Sequence, residues 1–345
     1  MGLFGSSTLL DWLETYTFPV ESRFGSPPDP KTGHQTQTDP KDAPLLAQQI
    51  YDQVISRTLS HGTTCASYYA TNHVPATNAL SSLCHTRGQR AFIGRACMDN
   101  PKFCVDYYHD FSAEDSIVAT RQTIEYIHTL DPEGNLVKPI VTPRFAPSCT
   151  RLALQNLGEL AASYSPPLHV QTHISENVNE LALVKELFPE ADSYAAVYDK
   201  YKLLTPRTIL AHAVHLSADE RALIRAREAK ISHCPASNSA LGSGICPVRT
   251  LLDEGITVGL GTDVSGGYSP SILEAARQAC LASRLLGQSA AWQRDHSQSL
   301  DGKGSDGREK LSVPESLYLA TRGGAAVVDM ANDLGGFDKG MLWDV

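Results

Sequence analysis

The feature that most constrains this chain is a rhythm. From residue 63 onward, short runs rich in strand-forming residues alternate with longer stretches of helical periodicity, giving seven strand-then-helix units in succession. The strand-like runs are 63–70 (TTCASYYA), 90–99 (RAFIGRACMD), 136–145 (LVKPIVTPRF), 168–177 (LHVQTHISEN), 208–216 (TILAHAVHL), 229–238 (AKISHCPASN) and 257–264 (TVGLGTDV). Helical patterns fall at 43–60, where Asp42 is placed as cap, and at 113–130, 149–163, 248–253 and 271–286. Asn177 and Glu180 make a capping-box pattern ahead of Val178, Leu181, Val184 and Leu187. Sustained alternation of this kind predicts an α/β fold with a parallel sheet, either doubly wound or closed into a (β/α)8 barrel.

Outside the rhythm lie an N-terminal helix carrying Leu9, Leu10, Trp12, Leu13 and Tyr16, with Ser7 or Thr8 as cap, and two polar insertions at about 25–42 and 287–312. Both insertions read as surface or disordered segments. A helix is predicted over 313–323, and the final GGFDKGMLWDV is strand-like. The domain reading is one barrel over 1–330, followed by the start of another segment at 331–345. A barrel has eight strands, and this chain opens with the helix that would follow the first.

No GxGxxG follows the first strand and no GxxxxGK[ST] occurs, so nucleotide-phosphate folds lose ground. Instead, Asp99, Arg144, His173, His212, Asn238 and Asp263 stand at the C-terminal ends of different strand runs. In a barrel those ends converge on one mouth. Alternation places His169, Gln171 and His173 on one strand face, and Asp263 with Thr257, Gly259 and Gly261 on another. Glycines beneath a carboxylate leave room for a ligand or a metal.

His173 at a strand end, with Glu176 three residues on, suits a metal ion and a proton shuttle. The same stretch equally suits a buried histidine beside a helix-capping glutamate, and alone it leaves both open. His212 ends its strand as His173 does and is assigned to the site. His169 sits lower and reads as a core histidine, His215 as a surface one, and His233 as structural or mouth-lining. His34, His61, His73, His85, His109, His128 and His296 have no partner at ligand spacing. Arg144-Phe145 reads either as an exterior salt bridge with a core aromatic, or as a planar donor and an aromatic wall for a flat heterocycle with a carbonyl.

The formal net charge of -9, without any Lys/Arg block, argues against nucleic acid or an anionic membrane as partner. The eight cysteines are scattered with no CxxC pair, which reads as a reduced, cytoplasmic protein. No membrane-length apolar run is present.

THISEN, PRF, LAH, HCPASN and GLGTD together resemble the amidohydrolase superfamily of metal-dependent (β/α)8 barrels. LLDWLETYTFPVESRF, GTTCASYYAT, GQRAFIGRACMD, KPIVTPRF and GLGTDVSGGYS narrow the resemblance to the eukaryotic-type guanine deaminases. The resemblance implies zinc-dependent hydrolytic deamination of guanine to xanthine and ammonia in purine catabolism. It implies one Zn2+ per subunit, held in part by His173 and Asp263, with Asp263 also accepting a proton from the attacking water. Glu176 would move protons, His212 would hydrogen-bond the attacking hydroxide, and Arg144 and Phe145 would contact the purine. A sister enzyme acting on another amino-heterocycle and a non-catalytic remnant are the competing readings. A homodimer is a further expectation.

The family's first strand carries an HxH pair, and this chain contains none. The resemblance therefore places that strand, and most of the family's small β-sandwich, outside the sequence. With His173 and Asp263 alone, a tetrahedral zinc shell is not expected to form.

Overall fold

The computed structural model describes residues 8–25, 39–289 and 307–344. Its strands are β1 (Cys65–Tyr69), β2 (Arg90–Gly94), β3 (Ala96–Cys97), β4 (Val137–Pro143), β5 (His169–Ile174), β6 (Thr208–His212), β7 (Lys230–His233) and β8 (Val258–Leu260). The path β1-β2-β4-β5-β6-β7-β8 is parallel throughout, with the two-residue β3 pairing β4. Among the described residues, the outer edges of β1 and β8 have no strand partner.

Side-chain alternation gives this sheet an outer and an inner face. Val170 and Ile174 of β5 face outward into an apolar layer shared with Leu154, Leu157, Tyr198 and Ile224 from surrounding helices. Gln171 faces inward, accepting from Ser67 Oγ on β1 at 2.6 Å and donating to the Tyr68 carbonyl at 2.8 Å. Since β1 and β5 are not neighbours in the strand order, the bonds span a barrel interior. The fold is thus an α/β sheet of the TIM-barrel type.

The floor of the barrel is plugged. Phe92, Ile140 and Ile209 point inward and pack on Ala325, Val327, Val328, Met330 and Leu334. His169 lies here as a core residue, its Nε2 2.8 Å from Asp329 Oδ2, with Lys230 paired to the same carboxylate. Gly259 is explained by this plug rather than by a ligand: a Cβ there would meet the Gly324 Cα at 2.8 Å. Gly261 similarly makes room for Cys234 Sγ and Ser232 Oγ. At Gly259 the space directly over the residue is taken by the Gly324 backbone, while both glycines still border the cavity that Asp263 lines.

Several boundaries differ from the sequence reading. The helix expected at 43–60 is Leu45–Ser60 with Pro44 as N-cap, and Asp42 instead ends a short 3-10 turn, Pro40–Asp42. The run 229–238 leaves the sheet at His233, and Pro235 opens a helix, Pro235–Ala240, since proline is suited to a first helical turn. Asn238 is therefore on a helix, not at a strand end. The run 257–264 is a strand only over Val258–Leu260, and Asp263 lies beyond it in a turn. A helix at Tyr194–Lys200 was not expected. Residues 331–344, expected to enter a strand, contain none.

Most of the two polar insertions, 26–38 and 290–306, lies outside the described residues, as do His34 and His296. At the edge of the second insertion Leu311 is fully buried and donates its N–H to Ser283 Oγ at 2.9 Å, so this end packs on the barrel.

The N-terminal segment is helical from Leu9 to Phe24, with a π turn at Leu13–Thr17. Pro19 supplies no N–H to the ladder, which favours the wider turn before it. Leu9, Trp12, Leu13 and Phe18 pack on Met98, Tyr108, Phe145 and Leu241, so this segment covers one side of the mouth. Among the described residues no helix is long and apolar enough to cross a membrane.

Candidate active site

The C-terminal strand ends open onto a cavity of about 1210 Å³ that also follows the open edges of β1 and β8 towards the floor. Arg144, Phe145, His173, Glu176, His212 and Asp263 all line it, together with Glu21 and Tyr69, which sequence reasoning missed. Four of the six strand-end residues read from sequence, Arg144, His173, His212 and Asp263, thus share one concavity with Phe145 and Glu176, whereas Asp99 and Asn238 do not line it.

His173 is held in one tautomer. Its Nδ1–H donates to the Arg144 carbonyl at 2.6 Å, which leaves the Nε2 lone pair free. Burial, reinforced by the neighbouring His212, pushes its pKa down to about 3, so the ring is neutral at physiological pH. Tyr69 lies against it at 4.3 Å, centroid to centroid. Tyr198 Oη donates to the His173 carbonyl at 2.8 Å, fixing the strand end from behind.

Glu176 is 1% exposed, and burial raises its carboxyl to about 7. Ser243 Oγ donates to its Oε1 at 3.0 Å, and Oε2 lies 3.4 Å from His212 Nε2. The capping box behind it does more than start a helix. Glu180 Oε2 accepts from the Glu176 N–H at 2.7 Å and the Asn177 N–H at 3.2 Å, while Tyr194 Oη donates to Glu180 Oε1 at 2.8 Å. The box was legible from spacing, but not its service to the Glu176 backbone. Ser243, 67 residues away in a glycine-flanked loop, left no local signal.

His212 Nδ1–H donates to Asn238 Oδ1 at 2.8 Å, so Nε2 is turned towards Glu176. Burial opposes protonation of His212, yet Glu176 and Asp263 outweigh it and raise the pKa. Backbone strain concentrates at the same place. Ser175, His212, Ala213 and Asp263 have φ of 50, 73, 52 and 43°, a region L-residues avoid. The turns are held by Val214 and His215 N–H bonds to the Ser175 carbonyl at 3.0 Å, and by Gly267 N–H on the Asp263 carbonyl at 2.6 Å. Strain of about 1–3 kcal/mol per residue, offset by such bonds, is characteristic of sites that aim side chains.

Arg144 unites the two alternatives left open by its sequence. It does form a salt bridge, to Glu21, but the pair lines the mouth rather than the exterior, with side chains 9% and 19% exposed. Its guanidinium lies over the Phe18 ring at 5.3 Å. Phe145 is both a core residue, edge-on to Phe103 at 5.0 Å, and part of the cavity wall.

Other strand-end candidates do not join. Asp99 accepts from Thr150 N–H at 2.7 Å and Thr150 Oγ1 at 2.6 Å, securing the start of helix Arg151–Ala162. His215 is half-buried rather than on the surface, its Nε2 2.7 Å from the Ser243 carbonyl, so it steadies the loop that reaches Glu176. His233 is buried without lining the cavity.

The buried histidines carry an acid-lability prediction. Burial lowers His73 to about 4 and His233 to about 3 from 6.5, so between those values the unfolded chain binds protons that the folded chain does not. Stability therefore falls as pH drops through this window. Glu176, raised from 4.5 to about 7, acts in the opposite sense between those values. The steepest loss is expected below about pH 4.5, and H233Q should flatten it; denaturant melts at a series of pH values check this.

The mouth offers two donors of the kind that bind zinc. His173 Nε2 is free and unprotonated, and the Asp263 carboxylate sits where a Cβ on Gly266 would meet its Oδ2 at 2.8 Å. Each has ligand character, but a structural or catalytic zinc takes three or four protein donors. Among the described residues no group of three His, Cys, Asp or Glu is arranged to hold a metal. The donors present do not complete a centre. Elemental analysis of the dialysed chain is expected to find well under one zinc per molecule; one tightly held zinc would require further donors.

A curled parallel sheet with His, Glu and Asp at its C-terminal ends defines a class, and the comparison agrees: the chain belongs to the amidohydrolase family, whose profile matches residues 1–345. Within that family, guanine deaminases are among its relatives of 30% identity or more. It is 50% identical to the probable guanine deaminase of Schizosaccharomyces pombe, over 97% of this chain and 57% of that protein. It is 42% identical to the guanine deaminase of Dictyostelium discoideum, over 97% and 66%. A crystal structure of guanine deaminase from C. acetobutylicum, with guanine bound in its active site, superposes with a TM-score of 0.81 at 33% identity, covering 99% of this chain and 71% of that one. The chain thus spans about 57–66% of these two curated relatives.

Proposed function

We propose that this chain carries the guanine-deaminating site of its relatives, for the reaction guanine plus water to xanthine plus ammonia. The observation that supports it most is Glu176: a buried carboxyl poised near neutrality, 3.4 Å from His212, in a cavity that also holds Arg144. A group with pKa near the working pH can both give and take a proton in one cycle. Glu176 would take a proton from the attacking water, deliver one to the purine ring nitrogen, and assist departure of the amine as ammonia. His212 Nε2 would bond the attacking oxygen, and Arg144 would donate to the purine carbonyl against the wall of Phe145.

Zinc is the metal proposed for this reaction and would lower the pKa of a bound water to about 7; His173 Nε2 and Asp263 would be two of its three or four donors, and the centre needs others besides them. The eight free cysteines suit a reducing compartment, and the cytoplasm is the proposed location. The short donor set favours a second reading, in which the chain binds the purine without turning it over. Ammonia release from guanine, measured beside an aminotriazine and adenosine with zinc supplied, tests the first reading. Guanine retained in equilibrium dialysis without ammonia would support the second.

A further inference from the structure

The Arg144 guanidinium presents five N–H donors in a fixed plane. Glu21 occupies one edge: Nη1 donates to its Oε2 at 2.7 Å and Nη2 to its Oε1 at 3.0 Å. This end-on fork uses one hydrogen from each terminal nitrogen. It leaves Nε–H and the second Nη2 hydrogen as a parallel pair on the adjacent edge, where no protein acceptor is found among the described residues. Glu21 is itself held, since Tyr108 Oη donates to its Oε2 at 2.7 Å, and Tyr108 is buried between Thr71 Oγ1 at 2.8 Å and the Asn72 N–H at 3.0 Å.

The electrical consequence matters as much as the steric one. A solitary arginine in a cavity recruits carboxylates and phosphates. One bonded bidentately to a carboxylate donates hydrogen bonds while contributing almost no net charge. Glu176 and Asp263 line the same cavity, so no uncompensated cation faces a ligand from these four residues.

We propose that Glu21 is the positioning and specificity-determining residue of this site, holding Arg144 so that its free edge meets an uncharged, carbonyl-bearing heterocycle and cancelling the charge that would admit an anionic one. The assignment rests on the purine reading above. It places a determinant of substrate choice on the N-terminal helix, outside the strand ends.

Equilibrium dialysis of the full chain with guanine and with urate, a purine that is anionic at neutral pH, tests it. In E21Q, guanine binding should weaken at least tenfold and urate binding should strengthen at least threefold. In E21D, which keeps the charge on a shorter arm, guanine weakens but urate stays excluded. Y108F, which loosens Glu21, should shift guanine binding in the same direction by a smaller factor and substitutes for E21Q if that variant does not fold. A guanine-to-urate preference within twofold of wild type in E21Q overturns the proposal.

Should the unaltered chain bind neither purine, the purine reading fails. The clamp is then read from the Arg144 Nε–H nuclear magnetic resonance signal. Broadening or displacement in E21Q supports it, and an unchanged signal overturns it.

Discussion

On the proposed reading, E176Q lowers guanine deamination by about 10³-fold in kcat, while KM changes by no more than about threefold. The amide is nearly isosteric with the carboxyl and still accepts from Ser243 Oγ, so the pocket keeps its shape. What is lost is a group able to change protonation state between the attack of water and the departure of ammonia. The same substitution stabilises the protein. Burial raises the Glu176 carboxyl from 4.5 to about 7. A carboxyl with a raised folded-state pKa weakens folding once the pH exceeds the unfolded value, and the penalty is complete above the folded value. Glutamine removes it, for a gain of roughly 3 kcal/mol at pH 8 that vanishes below about pH 4.5. Loss of turnover together with gain in denaturation midpoint is the signature of a catalytic group kept at a cost to the fold. Unchanged kcat would reduce Glu176 to the helix-capping glutamate its sequence also allowed.

The second large effect is at Arg144. R144M removes the donor edge proposed for the purine carbonyl and strands the Glu21 carboxylate in a mostly buried site. Guanine binding is expected to weaken by about 10- to 100-fold, the equivalent of one or two charge-assisted hydrogen bonds. Stability is expected to fall by about 3 kcal/mol, because breaking a buried pair leaves a charge without its partner. The double variant E21Q/R144M should recover most of the stability and none of the binding. Urea melts and dialysis with guanine separate the two effects. Equal recovery of both would mean that Arg144 is structural only.

The chain's own rhythm made the barrel legible. Parallel strands buried on both faces need near-continuous apolar runs, and crossover helices need their own periodicity, so the alternation is written locally. His173 and Glu176 were visible for the same reason: one ends a strand and the other precedes a capping box. Asp99 shows the limit. It stands at a strand end as Arg144 does, yet its carboxylate turns to Thr150 and secures a helix, a choice made by a contact across 51 residues. Gly259 shows it again, since the space under a glycine is the same in sequence whether a ligand or the Gly324 backbone fills it. Glu21 was invisible because its partner lies 123 residues away, and nothing in PVESRF distinguishes it from a surface glutamate.

By itself, then, the sequence determined the parallel α/β architecture, the strand faces, and several side chains that stand at the ends of strands, because period and spacing act over a few residues. The tertiary structure decided which of those side chains share a cavity and how each is charged there. It also decided that an N-terminal glutamate governs the Arg144 fork. Burial and hydrogen-bond partners set those properties, and both depend on segments far apart in the chain.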